Sequence, residues 1–227
     1  MATLTDVMEL KTLISKQIMQ NIDFSSNDYK IIKRESIYRG FFHVEKIQLS
    51  HKLFSGGWSH EITRELLHRG DAVAILPYDP VRDEIVLVEQ FRIGLIAGGE
   101  QPRSPWLFEL VAGMVEAGED LEAVAVREAA EEANCQVRDL LPIFKYYPSP
   151  GGCSEFIQVY CGRTDTENLG GIYGCEDHNE DILVHTMSRE EGYRHLERGD
   201  IADAQTIIGL QWLQLNYRLL QSDWRLI

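Results

Sequence analysis

Residues 113–135, GMVEAGEDLEAVAVREAAEEANC, hold seven carboxylates and a single arginine. Like charges three and four positions apart destabilise a helix, so something must offset this crowding. On a wheel at about 100° per residue, Leu121, Val124 and Ala125 fall on one side. Val126, Ala129, Ala130 and Ala133 fall on the other. A helix apolar on two sides is expected to lie between layers. Glu128 and Glu132 share the stripe of Leu121 and Ala125, which points their carboxylates towards the protein. Carboxylates held away from water must be paired or bind metal. Arg127 can pair with Glu131 at i+4 or with Glu119 from the preceding loop, but one arginine cannot neutralise four acids. A divalent cation with oxygen ligands is the natural missing charge, and Mg²⁺ commonly sits between carboxylates and substrate phosphates. The alternative is a solvated charged face, the commoner fate of an acid-rich helix.

The elements that must position these acids can be read from apolar periodicity. DAVAILPYD (71–79), a turn at DPVRDE and IVLVEQFR form a hairpin whose strands are apolar enough to be covered on both faces. WLFELVAG is a short strand ending at Gly113, and a helix follows over about 120–133. Further strands are expected near 143–147, 155–161 and 182–187, and helices at 189–197 and 204–221, the last capped by Asp203. Strands with interspersed helices and hairpin-like links predict an α/β (α+β) sandwich with a mixed sheet. Residues 1–65 form a separate appendage, with a helix at 5–20 and a small sheet over 38–54 and beyond, leaving 66–227 as the main domain.

Composition narrows the function further. The chain has 227 residues, 44% of them hydrophobic, and a net charge of −14. Such charge argues against nucleic-acid and anionic-membrane surfaces, which need a basic patch. It also repels phosphorylated substrates unless cations intervene. Cys135, Cys153, Cys161 and Cys175 form no CxxC pair and no zinc spacing, and read as reduced thiols of a cytoplasmic protein. No run reaches the ~20 apolar residues of a membrane span, and the N-terminal stretch lacks the pattern of a signal peptide.

The acid-rich stretch resembles the Nudix box. Gly113 is followed after five residues by Glu119, and after seven more by Arg127-Glu128, Ala129, Glu131-Glu132, Asn134 and Cys135. Asn134 stands where the family has glycine, a position after the helix expected to need positive φ, which Asn tolerates. The resemblance implies a Nudix-type α/β/α sandwich that cleaves a nucleoside diphosphate linked to another group. It implies Mg²⁺, or Mn²⁺ in its place, held by Glu128, Glu132 and the carbonyl of Ala112. Glu131 is then a third acid near the metals, while Glu119 and Arg127 hold the loop and helix together.

Features outside the box resemble the ADP-ribose pyrophosphatase branch of the family. FKYYPSPGGCSE (144–155) places Pro150 fifteen residues past the box, followed by Gly151-Gly152. By composition alone that stretch is simply a turn. The likeness extends over roughly 35–220 and takes in RGFF, GGWSHEITRE and HNEDILVH. It implies a homodimer in which the N-terminal sheet is exchanged and helps build the adenine site. Phe41 or Phe42 could stack on the base. Arg64 and Arg92 could bind base, ribose or phosphates through their planar forks, and Glu109 could enter the site or pair with an arginine. The acidic loop 171–185 would supply a metal-contacting acid, Glu180, and a general base two residues earlier. His178 occupies that base position, so the base is His178, Glu180 or Glu176. The activity implied is Mg²⁺-dependent hydrolysis of ADP-ribose to AMP and ribose 5-phosphate. The alternatives are another nucleotide sugar or dinucleotide as substrate, and a non-catalytic ADP-ribose-binding regulator.

Overall fold

A computed structural model describes residues 24–96, 104–174 and 180–224. They fall into two compact units that divide between His68 and Arg69.

The first unit is a three-stranded antiparallel sheet of β1 (Tyr29–Arg39), β2 (His43–His51) and β3 (Ile62–His68). Sequence periodicity locates β2 but misses β1. Its register slips at Ile31/Lys33 and at Ser36/Tyr38, and each slip inverts the alternation a reader looks for. RGFF supplies the β1–β2 turn, closed by Gly40 N–H on the Phe42 carbonyl at 2.9 Å. Ile47 is the one buried apolar side chain among the described residues of this unit, and all of β1 is exposed. The expected helix at 5–20 lies outside the described residues.

The second unit is built on a mixed eight-stranded sheet. Its strands are β4 (Asp71–Asp79), β5 (Glu84–Phe91), β6 (Trp106–Glu109), β7 (Val111–Val115), β8 (Arg138–Tyr146), β9 (Ile157–Arg163), β10 (Gly171–Tyr173) and β11 (Ile182–Ser188). Three helices accompany them among the described residues: α1 (Leu121–Ala133), α2 (Arg189–Arg198) and α3 (Ala204–Trp224). The strand order is β10-β11-β5-β4-β9-β8, with β6 on β5 and β7 on β4, and the β4–β9 pair is parallel. Side chains alternate across the central strand. Val73 and Ile75 pack with Val124, Ala125 and Ala129 of α1. Ala74, Leu76 and Tyr78 pack with Leu210, Leu213 and Leu220 of α3. Both faces of β4 are therefore covered, which explains its unbroken apolar run, and the layers make the expected α/β/α sandwich. Asp203 caps α3, accepting from Thr206 N–H at 2.9 Å.

The sheet splits where the site forms. β4 and β5 pair only at Tyr78–Ile85 and Asp79–Glu84. Beyond that point β7 takes the edge of β4 and β6 takes the edge of β5. WLFELVAG is thus two strands rather than one, broken at Leu110, and the second runs on to Val115. The break is invisible in sequence because Leu110 is apolar and fully buried. Its N–H, leaving the ladder, donates to the Thr206 hydroxyl at 2.9 Å, which donates to Asp203 at 2.8 Å. The start of α3 therefore pins the kink from which the candidate site is built.

Candidate active site

Helix α1 is capped at its start by Asp120, whose carboxylate accepts from Ala123 N–H at 3.0 Å. It ends at Asn134 in the left-handed conformation, φ 48° and ψ 32°. The Cys135 N–H returns to the Ala129 carbonyl at 2.9 Å. Glycine carries no Cβ penalty at such a position. Asn134→Gly is therefore expected to preserve activity and raise stability by up to about 1 kcal/mol, read as a shift in thermal midpoint.

The helix buries one stripe rather than two. Val124, Ala125, Ala129, Glu132 and Ala133 are buried, Leu121 and Glu128 are half-buried, and Val126 is exposed. The sandwiched-helix expectation is corrected, because alanines carry too little surface to mark a face. The inward direction of Glu128 and Glu132 holds.

These two carboxylates meet β7. The Ala112 N–H donates to Glu132 at 3.2 Å. In an extended strand the N–H and C=O of one residue point to the same edge, so the Ala112 carbonyl leaves β7 by the edge that its N–H uses. A Cβ built on Gly113 would overlap the Glu128 carboxylate, so the glycine makes the cradle in which Glu128 lies. Arg127 pairs with Glu128 at 3.0 Å and with Glu131 at 2.9 Å, and Glu131 is largely solvated. Glu119 accepts from Glu116 N–H at 2.7 Å, holding the loop before the helix.

Electrostatics set this pair apart. Burial pushes the Glu132 carboxyl up to about 8, and the charges of Glu128 and Glu180 add to the rise. Burial also raises Glu128, and the neighbouring Arg127 only partly opposes it. Glu180, just before β11, is thus close enough for both acids to feel it. Arg92, just past β5, donates through Nε to the buried Glu109 at 2.6 Å. Burial still holds Glu109 above the usual carboxylate range despite that partner.

Among the described residues no three His, Cys, Asp or Glu side chains form a ready-made metal cage. The donor set nevertheless suits Mg²⁺, which uses one or two carboxylates and keeps positions for water and substrate oxygens. Glu128 and Glu132 are disfavoured as anions where they lie, and Arg127 pairs only with the first of them, so a divalent ion would supply the charge that lets both ionise.

Of the residues singled out by sequence, Ala112, Glu128, Glu132, Glu180, Arg92 and Glu109 belong to this assembly. Pro150 is exposed in a turn closed by Gly152 and Cys153 N–H on the Ser149 carbonyl, at 3.1 and 2.9 Å. Phe41, strongly exposed, and Arg64, bonded to the Thr63 carbonyl at 2.8 Å, lie in the first unit. Glu176 and His178 fall outside the described residues. Sequence reasoning missed Thr206, which carries no signal beyond its place after Asp203.

Residues 68–208 match the family model of the NUDIX domain. The chain belongs to the Nudix family. It is 47% identical over 203 residues to the ADP-ribose pyrophosphatase of Escherichia coli (strain K12), covering 89% of this chain and 96% of that one. Identity to the ADP-ribose pyrophosphatase of Haemophilus influenzae is also 47%, over 92% and 97% of the two chains. A GDP-mannose pyrophosphatase of Escherichia coli O1:K1 / APEC is 31% identical over 68% of this chain and 78% of its own. In structure, the fold matches a crystal structure of an ADP compounds hydrolase with a TM-score of 0.63 at 20% identity, over 88% of this chain and 98% of that one.

Proposed function

We propose that the protein hydrolyses ADP-ribose to AMP and ribose 5-phosphate with Mg²⁺, or Mn²⁺ in its place. The observation that carries this reading is the pair Glu128 and Glu132, withdrawn from water against β7, in a chain so similar to ADP-ribose pyrophosphatases. Glu128, Glu132 and the Ala112 carbonyl hold the metal, and Glu180 adds a further acid. When bound, the metal neutralises the pyrophosphate and lowers the pKa of the attacking water. Arg92, oriented by Glu109, donates to a phosphate oxygen. Glu180, or His178 two residues before it, accepts the proton from the water. Arg127 keeps Glu128 and Glu131 in place.

The N-terminal sheet serves as the dimerisation arm of a homodimer. Tyr29, Ile31, Ile32, Ile37 and Tyr38 are exposed along β1, a surface that a second copy can cover. Phe41 and Arg64 then contribute to the adenine site. A cytoplasmic location is supported by Cys135, Cys153 and Cys161 being free thiols. No helix among the described residues is long and apolar enough to cross a membrane.

The test is a steady-state panel of ADP-ribose, GDP-mannose, other nucleotide sugars and dinucleotides with Mg²⁺. ADP-ribose should give the highest kcat/KM, with AMP and ribose 5-phosphate as products. A tenfold preference for another substrate would sink the assignment.

A further inference from the structure

Strand β5 continues its alternation beyond the core. Val86 and Val88 face α1, and a period of two puts Gln90 on that same face. Gln90 is 8% exposed, and its Nε2 is buried with no hydrogen-bond partner. Native proteins rarely leave a buried donor unpaired, because doing so costs stability.

The register shows what surrounds this donor. Across the ladder Gln90 pairs with Leu107, so Glu109 lies two residues along on the same face. Arg92 follows Gln90 by two positions. On the other edge the β5–β11 pairing ends at Glu89–Leu183. Ile182, which packs in the α1-side core, therefore stands beside Gln90, and the chain carrying Glu180 enters there. Gln90 thus lies at the base of the site, between Arg92, Glu109 and the approach of Glu180. Glu109 accepts from Arg92 through Oε2 and has no hydrogen bond with Gln90. The Gln90 amide remains a neutral donor with no partner of its own.

We propose that Gln90 Nε2 donates a hydrogen bond to a non-bridging oxygen of the substrate pyrophosphate. This rests on the hydrolase reading above. Ribose hydroxyls can donate to the surrounding carboxylates, whereas phosphate oxygens only accept, so a donor beside Arg92 suits the phosphate. Oxygens of the departing phosphate gain charge as its bond to the attacked phosphorus breaks. A bond that strengthens then contributes to kcat.

Gln90→Met keeps similar volume and removes the donor. Its kcat/KM for ADP-ribose should fall by about tenfold to a hundredfold, mostly in kcat. Its thermal midpoint should equal or exceed that of wild type, since an unpaired buried donor is gone. Gln90→Glu, which puts a carboxylate against the pyrophosphate, should lose more activity. Two results overturn the proposal: Gln90→Met active within twofold of wild type, or a lowered midpoint that accompanies the lost activity and marks a structural role. Inactive wild-type protein in the same assay would instead remove the hydrolase reading, and this inference with it.

Discussion

Glu132→Gln should abolish turnover while making the metal-free protein more stable above neutral pH. Burial raises the Glu132 carboxyl from 4.5 to about 8. A carboxyl raised in the folded state binds its proton more tightly there than in the unfolded chain. Its stabilising contribution is complete below about pH 4.5 and is lost as pH rises through 8. In chelator the wild-type thermal midpoint should therefore decline across that window, by the equivalent of roughly 3–5 kcal/mol. Glutamine carries no charge to desolvate, so the variant should decline far less. Adding Mg²⁺ should stabilise wild type and leave Glu132→Gln nearly unmoved, because the added charge has lost its ligand. Turnover should fall on the order of a thousandfold with that ligand gone. Melting curves from pH 5 to 9, with chelator and with Mg²⁺, check the stability half. A wild-type midpoint that rises through this window without metal would contradict it.

Gly113→Ala is the second large effect, and it should separate activity from stability. The three atoms nearest the added Cβ are Oε1, Cδ and Cγ of the Glu128 side chain. That end of the side chain is flexible, so the fold absorbs the methyl group cheaply and Glu128 is what moves. The thermal midpoint should fall by no more than a few degrees. Turnover should fall about a hundredfold, as a displacement near 1 Å at a reacting centre can cost. Full activity in Gly113→Ala would mean that Glu128 need not occupy its cradle.

The most legible part of this protein was the part under the tightest chemical constraint. The spacing of Gly113, Glu119, Arg127, Glu128, Glu131 and Glu132 gave the helix, its inward acids and the family. Even Asn134 was readable, since the turn after α1 requires the left-handed conformation it adopts. What sequence could not place depends on partners distant along the chain. The kink at Leu110 exists because Thr206 of α3 receives the freed N–H, and neither residue announces this. β1 was hidden by its register slips, and β10, three residues long, by its brevity. The two-sided apolar pattern of α1 does not become two buried faces, because Val126 is 38% exposed. Arg92 and Glu109 were each visible as candidates. Their pairing was one of two options until the split sheet brought the end of β5 and β6 together.

Glu128 and Glu132 should together gather the divalent cation on which hydrolysis of the pyrophosphate depends. The most direct measurement is a Mn²⁺ titration followed by electron paramagnetic resonance, on wild type and Glu132→Gln, with ADP-ribose turnover measured on the same samples. Wild type should bind Mn²⁺ and turn over, and the variant should lose at least about tenfold in affinity together with its activity. Equal Mn²⁺ affinity in the two proteins, with turnover retained by Glu132→Gln, would contradict it.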